Sequence, residues 1–200
     1  MLGYYKGATY VGHYNVAMSL AFLLLIASEL LTPLFFPLIM RSYSQRKTAI
    51  IRDLSKQLNK WIFLINLPLF LFIFICPGAI INILFGSAVF EANNALRILL
   101  IGTLFSSVMV ISNQLMYASG KSKLILLNII IGTITNIILN IILIPISKIL
   151  FIENPHGLEG AAIATTISVI LLNMLFLIQS KKHFSFIPLK RKMITIALIS

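Results

Sequence analysis

A single carboxylate, Glu29, lies near the middle of an apolar run long enough to cross a bilayer. A charge at that depth costs at least about 2.5–3.5 kcal/mol on insertion scales, so it should face protein or water. There it could exchange a proton or help bind a cation, or it could be a protonated or paired structural carboxyl. Arg97 stands near the start of another apolar run. Its guanidinium could hold a phosphate or another anionic headgroup through paired, charge-assisted hydrogen bonds, or it could snorkel to the interface. Asn128, Gly132, Asn136 and Asn140 recur every four positions and so share one helix face. Amides in that pattern either bond across a helix contact or line a wet cavity. Gln114, Asn113 and Asn66 are further cavity candidates. A second small-residue stripe, Gly160, Ala164 and Ser168, suits close helix packing.

Enzyme motifs are absent. His13, His156 and His183 are scattered, and no His, Cys or carboxylate pair has metal-ligand spacing. No serine or cysteine sits in a nucleophile setting. Gly120-Lys121-Ser122 mimics the tail of a phosphate-binding loop, but Leu115 stands where that motif needs glycine and no strand precedes it. The simpler reading is that Gly120 ends a helix. Catalytic residues, metals and cofactors are therefore not expected.

The elements that must position these side chains are apolar helices. The chain has 200 residues, 59% hydrophobic and only 10% charged, far below the quarter typical of soluble domains. Spans are expected near 14–40, 61–85, 95–118, 124–152 and 160–178, with a sixth beginning near 193. Runs of this length demand helices rather than barrel strands. The loop over 41–60 carries Arg41, Arg46, Lys47, Arg52, Lys56 and Lys60, whereas the next, over 86–94, carries no basic residue. Lys121 and Lys123 follow in the third loop, and Lys181, Lys182, Lys190, Arg191 and Lys192 in the fifth. Lysine and arginine collect on the cytoplasmic side. Loops 41–60, 119–123 and 179–192 are thus expected inside. The net charge of +11 is explained by topology and anionic lipid rather than nucleic acid, since the basic loops lack an aromatic stacking platform.

Within 41–60, Ile50, Ile51, Leu54 and Leu58 recur at helical spacing, which fits either an interfacial helix or an extension of the second span. Residues 1–13, with Tyr4, Tyr5 and Tyr10, suit an interfacial segment, not a signal peptide. Pro33, Pro37, Pro68, Pro77 and Pro145 predict bent helices. The lone Cys76 permits no internal disulfide. The chain starts on the outer side without a leader and stops in an apolar run, so a fragment of a longer polytopic protein is expected.

Several local patterns carry a family resemblance. VGHYNVA at 11–17 resembles the VGxYxxA helix entry of polysaccharide flippases. ILFGSAVFEANNALRILLIGTLF resembles their LLFG…F…A…LRIL segment, and MYASGKSK their LxAxGKxK turn. NIILNIILIPISKILFIENPHGLEGAAIATTIS resembles their NxxLNxxLIP…GxxGAAIAT signature, with residues 148–155 inserted before Gly157. The matches run in family order from Val11 to Ser168. The chain is similar to the Wzx-like flippases of the MOP (multidrug/oligosaccharidyl-lipid/polysaccharide) exporter superfamily.

That resemblance implies an all-α, polytopic helix bundle, about five spans of a MATE/MurJ-like C-terminal lobe, partnered by a missing N-terminal lobe. It implies translocation of a polyprenyl-pyrophosphate-linked oligosaccharide by alternating access, often coupled to an ion gradient. Glu29 is the expected ion-coupling residue. Arg97, Asn128, Asn136, Asn140 and Gln114 are the expected substrate or cavity residues. Expected partners are the lipid-linked saccharide and membrane lipids. The alternatives are another MOP exporter, for multidrug or lipid II cargo, and a membrane-embedded glycosyltransferase or polymerase. The short, acid-poor outer loops disfavour the last.

Overall fold

A computed structural model describes residues 1–146, 148–149, 152–153 and 157–184. Its helices are α1 (Leu2–Lys6), α2 (Ala8–Ser44), α3 (Thr48–Ile75), α4 (Pro77–Phe85), α5 (Asn93–Ala118), α6 (Ser122–Leu143) and α7 (Leu158–Phe184). A short 3-10 stretch, Ser87–Ala92, leads into α5. Strands β1 (Lys148–Ile149) and β2 (Ile152–Glu153) form an antiparallel pair, with Lys148 opposite Glu153. Five helices, α2, α3, α5, α6 and α7, are long and apolar enough to cross a membrane. The protein is a multi-pass, all-α membrane protein. The apolar stretch from 193 lies outside the described residues.

The bundle is built for lipid. Along α6, Leu126, Ile130, Ile134, Ile138 and Ile142 are all about half exposed, while Asn128 and Gly132 are buried. Burying leucine against leucine gains little when the solvent is also hydrocarbon, so contacts form where small or amide side chains let backbones approach. The expected packing stripe on α7 behaves this way: Gly160, Ala164 and Ser168 are all buried. The tightest crossing joins α5 to α7. A methyl group added to Gly102 would meet the Thr166 Cα at 3.2 Å, and the Thr166 hydroxyl donates to the Ile98 carbonyl at 3.0 Å.

The spans alternate in direction, and this gathers the cations. Ile39, Ile51, Leu58, Ile62, Ile111, Leu115 and Phe184 form one apolar cluster, tying the end of α2, the start of α3 and the ends of α5 and α7 together. Arg41, Arg46, Lys47, Arg52, Lys121, Lys123, Lys181 and Lys182 therefore share one end of the bundle, the basic end. A second cluster, from Leu2, Ala17, Ile73, Ile81, Ala95, Ile144 and Leu158 among others, closes the opposite end. Gly120, at φ 68°, supplies the left-handed residue that turns the chain after α5, as its helix-ending role requires.

Two boundaries differ from expectation. The second span is not one helix over 61–85, because Cys76 leaves the helical region at ψ 51° and divides α3 from α4. Pro77 has no N–H for the Ile73 carbonyl, and its ring disfavours helical backbone at the residue before it. Pro33, Pro37 and Pro68 remain inside their helices. The fourth span does not reach 152; α6 ends at Leu143, two residues before Pro145, and the short strands follow. Of the two readings of residues 50–58, the structure takes the second: they extend the next span, since α3 runs unbroken from Thr48 into the apolar segment.

The Gly102 crossing predicts that Gly102→Val lowers stability by about 1–3 kcal/mol through overpacking. Gly102→Ala should cost less, and Thr166→Ser, which keeps the hydroxyl, should be near neutral. Thermal unfolding in detergent would measure this series; a stable G102V would show that the crossing is loose.

Candidate functional site: a polar groove on α2, α5, α6 and α7

Tyr14, Met18, Phe22, Leu25, Glu29 and Pro33 follow one another at three- and four-residue steps and so lie along one face of α2. That face borders three adjoining chambers. The first, of about 440 Å³, lies toward the opposite end and is lined by Tyr14, Met18, Asn136, Asn140, Ala161 and Thr165 among others. The second, about 120 Å³, shares Met18 and Thr165 with it and continues past Leu25, Gly102 and Ser106. The third, about 340 Å³, shares Leu25 and Ser106 with the second and holds Glu29, Ser28, Thr32, Asn113 and Gln114. Together they make one groove, polar at both ends and apolar in the middle.

Interhelical hydrogen bonds hold its walls. The Tyr14 and Thr165 hydroxyls are 2.8 Å apart, joining α2 to α7. The Asn140 amide donates to the Asn136 carbonyl at 2.8 Å and to its Oδ1 at 3.0 Å, fixing both side chains on α6. Asn173 of α7 accepts from the Asn113 amide at 3.2 Å, and its own amide donates to Ser106 Oγ at 3.2 Å and to the Val169 carbonyl at 2.8 Å. A polar seam therefore runs along the α5–α7 contact behind the third chamber.

Glu29 is exposed in this chamber and, among the described residues, makes no hydrogen bond or ion pair. Two buried atoms in the same wall, Thr32 Oγ1 and Asn113 Oδ1, also have no protein partner. An exposed carboxylate beside a wall that contains unpartnered oxygens is a setting suited to a hard cation or to a proton with water.

The remaining expected residues separate. Gln114 joins Glu29, while Asn136 and Asn140 line the first chamber. Asn128 is buried and pairs reciprocally with Gln179 of α7, at 2.9 and 2.8 Å. The asparagine stripe thus divides into a packing half and a groove half. Asn66 is fully buried between α2 and α3, with both amide atoms unpartnered, and touches only an apolar hollow. Arg97 lies off the groove at the opposite end, exposed, with its Nε donating to the Phe74 carbonyl at 3.3 Å. Tyr14, Thr165, Ser106 and Asn173 were missed. An amide at 173, alone in an apolar run, was a legible signal for the last; the others needed the helix arrangement.

These features define a multi-pass membrane protein whose spans shield a polar groove. The chain belongs to the MurJ family: the family model for the lipid II flippase MurJ matches residues 6–200. That branch of the MOP superfamily was the alternative in the sequence reading. The chain is 26% identical over 168 residues to the "Probable low-salt glycan biosynthesis flippase Agl15" of Haloferax volcanii, covering 84% of this chain and 34% of that protein. It is 34% identical over 91 residues to the "Uncharacterized membrane protein MJ1375" of Methanocaldococcus jannaschii, covering 44% of this chain and 20% of that protein. The chain thus spans about a fifth to a third of these curated relatives. No solved structure matches it.

The Asn128–Gln179 pair gives a direct energetic expectation. A double-mutant cycle through Asn128→Leu and Gln179→Leu should yield a coupling of about 0.6–1.7 kcal/mol, the range for interhelical hydrogen bonds in membranes. Additive single effects would mean that the two amides do not act as a pair.

Proposed function

We propose that this chain forms most of the C-terminal lobe of a flippase for polyprenyl-pyrophosphate-linked saccharide, with its basic end in the cytoplasm. The reading assigns the headgroup a path along the α2 groove by alternating access, while the lipid tail stays in the bilayer. Family membership supports the class of activity. The observation that carries the local assignment is an unpaired carboxylate, Glu29, in a hollow lined also by Thr32 and Asn113, whose side-chain oxygens are buried in the wall without a protein partner.

Glu29 is the ion-coupling group in this scheme. Protonated or cation-bound, it would let the α2–α5 seam close; charged and empty, it would favour an open, hydrated hollow, because burying an uncompensated carboxylate is costly. Asn136, Asn140 and Gln114 offer the amide donors and acceptors that sugar hydroxyls need. Arg97 can meet a phosphate only near the opposite interface, so its proposed role is at exit. The family model points to lipid II as cargo and the Haloferax relative's name to another glycan. Both readings place a saccharide on a lipid carrier, and the groove distinguishes neither sugar.

Glu29→Gln in the complete protein should leave expression normal. It should lower translocation of a fluorescent lipid-linked saccharide in proteoliposomes at least tenfold. A wild-type rate in that variant would remove Glu29 from the mechanism.

A further inference from the structure

The exposed face of α3 changes character at one step. Arg52, Lys56 and Lys60 recur at four-residue intervals and form a row about 12 Å long on one side of the helix. Arg52 and Lys60 are exposed and Lys56 is half-buried. Immediately after them, Trp61, Leu64, Ile65 and Phe72 are exposed instead. Tryptophan with lysine just before it and leucine just after marks a bilayer–water boundary. On this helix the boundary therefore lies at Lys60–Trp61.

The neighbouring helix places it elsewhere. On α2 the exposed side is still apolar at Leu34, Leu38 and Met40, and charge begins only at Arg41. The two helices are joined by the tight turn after Ser44, and Ile26–Leu31 of α2 face Ile65–Leu69 of α3 across an apolar hollow. This register sets Trp61 level with Phe35, about 9 Å along α2 from Arg41. The polar boundary is thus stepped, lying deeper on the α3 side, and the cationic row leads down the step to Lys60. Among the described residues its only acidic neighbour is Asp53, which sits 3.5 Å from Arg52; Lys56 and Lys60 have no ion pair.

We infer that this row is a docking strip for the diphosphate headgroup of a prenyl lipid, reached sideways from the leaflet at the basic end. The inference rests on the flippase reading and names where cargo first meets the lobe. A headgroup bearing two phosphates can engage two successive cations of the row, each worth about fivefold in local enrichment near a membrane surface. A phospholipid with one phosphate engages one. The step lets such a headgroup sink below the ordinary boundary while its tail stays beside Leu64 and Phe72.

Trp61, the chain's only tryptophan, reports on the site directly. The complete protein, with any tryptophan outside this chain changed to phenylalanine, is placed in phosphatidylcholine bilayers containing brominated phosphatidylglycerol. Trp61 should be quenched several-fold more than by brominated phosphatidylcholine. Geranylgeranyl diphosphate should reverse the excess at a mole fraction about tenfold below that of unbrominated phosphatidylglycerol needed for the same reversal. K56Q/K60Q should abolish the excess and K56R/K60R restore it, with thermal midpoints unchanged. Equal quenching by the two brominated lipids, or an excess that survives K56Q/K60Q, would overturn the strip. Displacement by the two anionic lipids at equal mole fractions would assign it to ordinary phospholipid and overturn the diphosphate assignment. None of these readouts requires transport, so loss of the strip and loss of the Glu29 role are separable.

Discussion

Hydrocarbon offers no hydrogen bonds, and most of this structure answers that constraint. Each span must satisfy its backbone internally, which makes all of them helices. A polar side chain at membrane depth is costly without a partner or water, and most here have one; Asn66, buried with both amide atoms unpartnered, is an exception. The reciprocal Asn128–Gln179 amides, the Asn113–Asn173–Ser106 seam and the Tyr14–Thr165 hydroxyls are the partnered solutions. Glu29 is exposed to a chamber, while Thr32 Oγ1 and Asn113 Oδ1 stay buried and unpartnered in its wall. The sealed amide pair and the unsealed carboxylate are thus the two extremes of how this bundle treats polar groups.

The same constraint explains where small residues fall. Gly102 against Thr166 brings α5 and α7 together more closely than any leucine contact could. It also places Ser106 and Asn173 within hydrogen-bonding reach one turn further on. Tight backbone approach and polar pairing are therefore coupled along the α5–α7 contact, and the groove uses that contact as its back wall. The α2 helix forms the front, joined to the wall by fewer links: Tyr14 to Thr165, and Ser28 to the Ser107 carbonyl at 3.5 Å.

Much of this was legible from residue order alone. Apolar runs located the spans, and alternating lysine and arginine paired their ends. Glu29 stood out because a carboxylate in an oily run is costly wherever it points. What stayed hidden depended on which neighbour each face meets. Four-residue spacing could not say that Asn128 seals against Gln179 while Asn136 opens into a chamber, since both sit on the same stripe. Pro68 and Pro77 look alike in sequence, yet the helix continues through the first and ends before the second. Arg97 read as a lone intramembrane cation, but its nearest partner is the Phe74 carbonyl at the end of α3.

That last contact has a mechanical side. At Cys76 the helical ladder is already interrupted, because Pro77 cannot donate to Ile73. Swinging α4 about this residue therefore breaks no intrahelical bond beyond those already lost, whereas bending α3 elsewhere would. The break in the ladder at that end of the bundle is confined to one joint, and the Arg97 guanidinium on α5 satisfies a carbonyl, Phe74, on its α3 side. This nine-residue helix is therefore held by side-chain packing, through Ile81 in the cluster that closes that end, rather than by a continuous backbone ladder.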